Sequence, residues 1–170
     1  MKKYLSFCLF ILISLSVSAQ DIITSFLAKH GKDENLEVVS IGKKMMDTIS
    51  TLISNNSELT EAIKGLETIR IVSSKDGDLN KEYYNSAQKL LSESKGLEEF
   101  FSMSEEDKEL KVMIRESKGN IKELLLLSEQ PDGFNLISIS GTISLDDLLN
   151  YSEGLNIKEL DELRSVKRNQ

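Results

Sequence analysis

A run of four leucines constrains this chain most, because it predicts a strand that is buried on both faces. Residues 124–127 are all leucine and end a mostly apolar segment, 121–127. A β-strand places successive side chains on opposite faces, so an unbroken apolar run indicates cover on both sides and a position inside a sheet. A second apolar run, 134–139, follows the turn sequence Gln-Pro-Asp-Gly at 130–133. Proline suits the first central position of a turn and glycine its positive-φ position, so the two runs predict a β-hairpin.

Two further strand patterns precede this hairpin. Residues 97–103 and 109–115 carry β-type patterns, and the second alternates cleanly between apolar and polar side chains. Polar turn sequences at 105–108 and 117–120 separate the segments from each other and from the hairpin. Four strands joined by short turns predict an antiparallel meander.

The N-terminal part of the chain alternates helical and strand patterns. Apolar residues recur at helical spacing in 22–29, 43–54 and 78–92, whereas 36–41 and 68–73 are rich in β-branched residues. A strand, a helix and a strand in close succession predict a right-handed βαβ unit. We therefore predict an α+β fold with a single mixed or antiparallel sheet of about six strands. The N-terminal βαβ unit is followed by the four-strand meander, and helices pack on one face of the sheet.

The first 19 residues predict a secretory signal peptide. Two lysines precede an apolar stretch, 5–17, and Ala19 ends the small-residue pattern that signal peptidase requires. The apolar stretch is too short to span a bilayer comfortably. Bulky Phe7 directly before Cys8, and the early position of that cysteine, disfavour a lipoprotein cleavage site. We therefore expect export by the Sec route to the periplasm or the extracellular space.

The division of the chain follows from this leader. We predict a signal peptide at 1–19, a single α+β domain at 20–155, and a C-terminal helix with a polar tail at 156–170. Cleavage takes 19 of the 170 residues away and leaves 151, enough for one domain with one core. It removes the single cysteine, which excludes a disulfide, a thiolate nucleophile or a cysteine-based metal site in the exported chain. It also removes two lysines, which takes the formal charge from −7 to −9. This acidity disfavours nucleic acid as a partner, and no integral membrane segment is expected after cleavage.

The residue types that catalysis and metal binding require are sparse. His30 is the only histidine, and at the end of a short predicted helix it suits a surface position that complements the helix dipole. Residues 76–82 begin like a calcium loop, but Lys81 and Ala87 occupy the positions that need glycine and a bidentate glutamate. Adjacent acids lie near predicted turns, where carboxylates are solvated and lack the burial that acid–base catalysis needs. These adjacent acids are Glu98-Glu99, Glu105-Glu106 and Asp146-Asp147. We predict no catalytic, cofactor-binding or metal-binding residue, and no cofactor.

The order of the patterns resembles one known family. The segments that carry the resemblance are the predicted helix with Phe26, Glu37-Val38-Val39-Ser40-Ile41, Lys44-Met45-Met46, Ile69-Arg70-Ile71-Val72, Tyr83-Tyr84, residues 119–124 and residues 140–145. Over residues 22–151 the chain is similar to the DUF4252 domain proteins, secreted proteins of Bacteroidetes of unknown function. The resemblance implies the envelope of a Gram-negative bacterium and brings no activity, cofactor or catalytic residue with it.

Three functions compete at this point. The first is a non-catalytic interaction module for an envelope partner, predicted from the missing catalytic residue types and from sheet edges that a partner strand can join. The alternative is a carrier of a small apolar ligand between sheet and helices, suggested by methionines and paired aromatic residues. These residues are Met45, Met46, Met103, Met113, Tyr83-Tyr84 and Phe100-Phe101. The third is a carboxylate-dependent hydrolase, which requires an acidic pair in a deep cleft. The partner and the oligomeric state are left open.

Overall fold

The computed structural model describes residues 21–144, except residues 54, 56 and 76 and the side chains of residues 57–59. The predicted signal peptide, the acid pair Asp146-Asp147 and the predicted C-terminal helix lie outside the described residues. The described part contains these elements in chain order: α1 (Ile22–His30), β1 (Glu37–Gly42), α2 (Lys43–Leu52), α3 (Ser57–Gly65), β2 (Leu66–Ser74), α4 (Gly77–Glu93), β3 (Glu98–Glu105), β4 (Lys108–Ser117), β5 (Asn120–Gln130) and β6 (Gly133–Ile143).

The six strands form one antiparallel sheet in the order β1-β2-β6-β5-β4-β3. Strands β3 to β6 follow one another as the predicted meander, and β2 pairs with the outer side of β6. The predicted α+β fold with a single sheet of about six strands is confirmed.

The predicted βαβ unit is wrong, because β1 and β2 run antiparallel. Glu37 pairs with Ser73 and Gly42 with Thr68, so the last residue of β1 and the first residues of β2 lie at the same end of the strands. Two consecutive helices, α2 and α3, connect the strands and pack against each other. A single crossover helix returns the chain to the end of the sheet where the first strand began, so the next strand runs parallel. The pair α2 and α3 instead returns the chain to the end where β1 finished, so β2 runs antiparallel.

Helices cover both faces of the sheet, whereas the sequence predicted helices on one face. Leu124 and Leu126 belong to the core cluster that includes Met46 of α2 and Ile63 of α3. Leu125 and Leu127 belong to a separate cluster with side chains of α1 and α4. All four leucines are 0% exposed. The leucine run therefore serves two cores, as its unbroken apolar pattern predicted.

Aromatic rings fill the centre of the α1/α4 face. The Phe26 ring stacks on Phe134 with centroids 5.5 Å apart, and Tyr83 lies 5.6 Å from Phe134. All three side chains are almost fully buried. Offset and edge-on ring pairs add to the area term of burial, so these contacts fix α1 and α4 over β6.

The predicted hairpin between β5 and β6 is confirmed, with Gln130 paired to Gly133 across the turn. Gly133 does not adopt positive φ, in contrast to the prediction. Positive φ occurs at Lys118 (53°) and Gly119 (76°), between β4 and β5. Two consecutive positive-φ residues form the hairpin turn whose twist matches that of the flanking strands. No helix in the described part of the chain combines the length and apolarity needed to cross a membrane.

Candidate interaction surface

The two edges of the sheet differ in how well they are protected. Edge strand β3 begins with Glu98 and Glu99 and ends with Glu105, and its pairing with β4 shifts between Glu99 and Phe101. Charged side chains and bulges are the devices with which natural sheets discourage strand addition at an edge. The β3 edge carries both.

The opposite edge strand, β1, carries almost none of this protection. Five of its six residues are uncharged, and its pairing with β2 runs without a register shift from Glu37 to Gly42. Val38 and Val39 point to opposite faces and are 48% and 49% exposed. The outer side of β1 is therefore a regular, neutral strand edge with apolar side chains half open to solvent on both faces.

Helix α2 extends this apolar exposure beyond the strand. Met46 is 3% exposed and packs in the core, whereas Met45 and Leu52 are 55% and 78% exposed. Residues seven apart lie on one stripe of a helix, so Met45 and Leu52 share the outward stripe. We call Val38, Val39, Met45 and Leu52 the β1–α2 surface. Of the five large apolar side chains that are exposed in the described part of the chain, this surface holds four.

A shallow depression of about 560 Å³ lies where β1 passes into α2. Gly42, Met45 and Thr48 contribute to its lining, together with two lysines. The depression borders the end of the β1 edge, so a segment that pairs with β1 has room to continue past Gly42.

His30 lies in the last turn of α1 and is half-buried, with its ring against aromatic side chains. Its ring lies 4.8 Å from the Phe26 ring and 5.4 Å, edge-on, from the Tyr83 ring. Burial and then the charge of Lys29 lower the pKa of His30, while the carboxylates of Glu82 and Asp33 oppose that shift. His30 thus joins the C-terminal end of α1 to α4, a contact that periodicity within α1 could not predict.

The His30 ring also contacts a serine. Its Nε2 lies 2.8 Å from the Ser86 hydroxyl, which also accepts a hydrogen bond from Lys29 Nζ at 3.1 Å. Ser86 lies inside α4, where the surrounding backbone N–H groups are used by the helix and are not free to form an oxyanion hole. The arrangement therefore fits a tether between α1 and α4 better than a nucleophile and its base.

The methionines proposed for ligand carriage do not converge on one pocket. Met46 and Met103 pack on the α2/α3 face, Met113 packs on the α1/α4 face, and Met45 is exposed. The aromatic pairs are also separated, because both tyrosines are buried on the α1/α4 face, whereas Phe101 packs on the other side. No shared apolar cavity among these described residues follows from the contacts.

The adjacent acids and the acids that the fold brings together are different residues. Glu98, Glu99, Glu105 and Glu106 are exposed, so they lack the desolvation that a general acid needs. A pair that the sequence analysis missed consists of Glu109 and Glu129. These two carboxylates lie directly opposite each other on β4 and β5, and both side chains are half-buried.

A β-bulge explains why sequence reasoning missed this pair. Ser117 pairs with Asn120 next to the turn, but the register shifts by one residue between Arg115 and Glu116. An unshifted hairpin would place Glu109 opposite Ser128. No local signal marks the bulge, so the cross-strand pair was accessible only from the structure. Within the described residues, His, Cys, Asp and Glu side chains form no cluster of three or more that could hold a metal ion.

Comparison with known proteins gives one family assignment. Neither the curated proteins nor the solved structures contain a match to this chain. The family model described as "Domain of unknown function (DUF4252)" matches residues 29–151, which is more than half of the chain and agrees with the resemblance found from the sequence. The chain therefore belongs to the DUF4252 family.

Proposed function

We propose that this protein is a non-catalytic interaction module that accepts an extended segment of a partner protein at the β1 edge. The observation that carries this proposal is the contrast between the two edges of one sheet. The β3 edge is acidic and bulged, whereas the β1 edge is regular and almost uncharged. A partner strand that pairs with β1 satisfies backbone N–H and C=O groups that otherwise face water.

The exposed side chains supply selectivity for this partner. An added strand covers Val38 on one face of the sheet and Val39 on the other, and each valine is half exposed at present. Covering the remaining apolar surface of a half-exposed valine stabilises the complex by about 1 kcal/mol. A segment with apolar residues at alternate positions fits β1, and a longer one also reaches Met45 of α2.

The non-catalytic part of the proposal rests on the chemistry of the described residues. The His30–Ser86 contact lacks free backbone donors for an oxyanion, and the adjacent acids on β3 and its turn are solvated. Binding at a strand edge requires none of these groups, because main-chain hydrogen bonds provide the affinity.

Affinity capture from an envelope extract tests the proposal when two matched variants are compared. Val39→Lys places a charge on the half-exposed β1 edge, where the long side chain can reach water without unfolding the strand. Phe100→Lys places the same charge on β3, at a position that is 47% exposed. We expect Val39→Lys to lose a stoichiometric partner that the wild type and Phe100→Lys retain. Equal capture by all three proteins would contradict the assignment to β1.

We further propose that the protein acts in the periplasm or outside the cell after Sec-dependent export. The support is the leader pattern of residues 1–19 and the small residue Ala19 at the expected cleavage site. Mass spectrometry of the protein from fractionated cells should give an N-terminus at Gln20. An uncleaved chain in the cytoplasmic fraction would argue against export, and a lipid on Cys8 would replace the soluble form by an anchored one.

Carriage of a small apolar ligand is the alternative function. It needs a hollow between sheet and helices, whereas the described core clusters contain many side chains with exposure near zero on both faces. Native mass spectrometry of the purified protein tests it directly. A ligand of defined mass that co-purifies with the chain would favour the carrier over the interaction module.

A further inference from the structure

A groove lies between α4 and the β3–β4 hairpin, on the face of the sheet that α1 and α4 cover. Two cavities of about 360 Å³ and about 450 Å³ share Asn85 and Gln88 of α4 in their lining. The first is bordered by Glu109, Glu129 and the acidic turn of the β3–β4 hairpin. This groove is at the opposite end of the strand order from β1, so it is independent of the proposed interaction edge.

Two carboxylates that line the first cavity, Glu109 and Glu129, lie side by side. The lining is acidic overall, with five carboxylates against two lysines, Lys81 and Lys108. Glu109 and Glu129 are direct cross-strand neighbours, and like charges in that position repel each other. Ser104 donates a hydrogen bond of 2.7 Å to Glu109. The half-buried position of both side chains weakens the screening by water that would normally relieve such repulsion.

Other charges on the same face have counter-ions. Arg115 pairs with Glu123 at 3.0 Å, and Lys111 lies 3.5 Å from Glu99. These ion pairs lie outside the first cavity, whose lining has three more carboxylates than lysines.

A tyrosine whose hydroxyl is not sealed from solvent lines the same cavity. Tyr84 is only 6% exposed, yet it lines the cavity, and its hydroxyl has no hydrogen-bond partner within the described residues. Burial, with contributions from the charges of Glu109, Glu129 and Glu99, raises the pKa of Tyr84 to about 12. The hydroxyl is therefore neutral at ordinary pH, and its oxygen is available to accept a hydrogen bond.

We propose that this cavity binds an alkylammonium group, with Glu109, Glu129 and Tyr84 as its ligands. An ammonium group carries three N–H donors and no acceptor, and the two carboxylates and the phenol oxygen present acceptors of matching number. The positive charge cancels the repulsion between the two glutamates. A lysine side chain of a peptide and a free diamine share this chemistry.

The second cavity offers apolar surface to the alkyl stem of such a ligand. Leu91 and Met113 contribute apolar surface to its lining, next to the side chains of Asn85 and Gln88 that connect it to the ammonium site. A methylene chain can lie along this surface while its terminal ammonium reaches Glu109 and Glu129. A bare metal ion would leave this part of the groove unused.

Isothermal titration of the full exported chain with four probes tests the proposal. Cadaverine represents a free diamine and Nα-acetyl-lysine methylamide a peptide side chain, and the stronger binder identifies the source of the ligand. Pentane-1,5-diol has the shape of cadaverine without its charge, and calcium chloride supplies a cation without a stem. We expect at least one of the two amines to bind and neither control to do so. Absence of binding by both amines, or binding of calcium with equal affinity, would overturn the proposal.

Three variants and one control assign the binding residues. Glu109→Gln and Glu129→Gln should each weaken amine binding by about tenfold or more, because each removes a charge-assisted hydrogen bond. Tyr84→Phe should weaken it by about fivefold, since it removes a neutral acceptor. Glu67→Gln makes the same charge change at an exposed position on β2 and should leave binding unchanged.

The stability of the same variants separates loss of binding from loss of folding. Without ligand, Glu109→Gln and Glu129→Gln should raise the urea midpoint of unfolding, because each relieves the cross-strand repulsion. A more stable variant that binds the amine less well can be explained only by a ligand role for the carboxylate. Unchanged affinity in both glutamine variants would show that the amine binds elsewhere.

Discussion

Truncation of each leucine in the β5 run should cost similar free energy of unfolding on both faces of the sheet. Leu124, Leu125, Leu126 and Leu127 are each 0% exposed, and they alternate between the two core clusters. Replacement of a fully buried leucine by alanine removes its transfer energy and leaves a cavity, at a cost of about 2–5 kcal/mol. We therefore expect all four alanine variants to fall in this range.

Urea unfolding at constant slope measures this cost, with Val38→Ala and Val39→Ala as controls. Both control side chains are about half exposed on β1, so their truncation should cost less than about 1 kcal/mol. A sheet covered on one face would give an alternating result, with two costly leucines and two that cost about 0.5 kcal/mol or less. Such an alternation along residues 124–127 would refute the two-core description.

Three further predictions concern single residues. Gly141→Ala should destabilise the fold by more than about 2 kcal/mol, because a Cβ there would lie 2.3 Å from the Gly65 carbonyl oxygen at a φ of 141°. Gly42→Ala is the control and should cost less than about 1 kcal/mol, because a Cβ there meets nothing within 4 Å. Thermal melts of both variants measure these costs. The pKa of Tyr84 is about 12 in the fold and 10.0 when unperturbed, so Tyr84 ionises first in the unfolded chain, and the free energy of unfolding should fall as the pH rises between these values. Urea titrations in alkaline buffers should find a smaller decline in stability for Tyr84→Phe than for the wild type. The pKa of His30 is lowered from 6.5, so His30 takes up its proton first in the unfolded chain, and stability should fall as the pH drops below 6.5. His30→Gln should remove this part of the acid dependence. A stability profile against pH identical to that of the wild type would show that other groups cause it.

Most elements of this fold could be predicted from the sequence because each of them has a local signal. The leucine run and the hairpin after it marked β5 and β6, and Asp21 caps α1 through a 3.0 Å hydrogen bond from the Ile23 amide. Side-chain alternation in β2 was also local, since Ile69 faces one core and Val72 the other.

The relations between the elements could not be predicted in the same way. The direction of β2 depends on α3, a helix of nine residues that returns the chain to its starting end. The Glu109–Glu129 pair depends on a one-residue bulge near Arg115. Each of these features arises from tertiary packing, and no local sequence pattern predicts it.

Amide hydrogen exchange on the captured complex shows whether a partner strand pairs with β1. Backbone amides of β1 that face away from β2 exchange with solvent in the isolated protein and become hydrogen-bonded when a partner strand pairs with them. We expect new protection in Glu37–Gly42 of the complex and none in Glu98–Glu105. Protection that appears elsewhere while β1 exchanges as it does in the free protein would contradict the proposed pairing at β1.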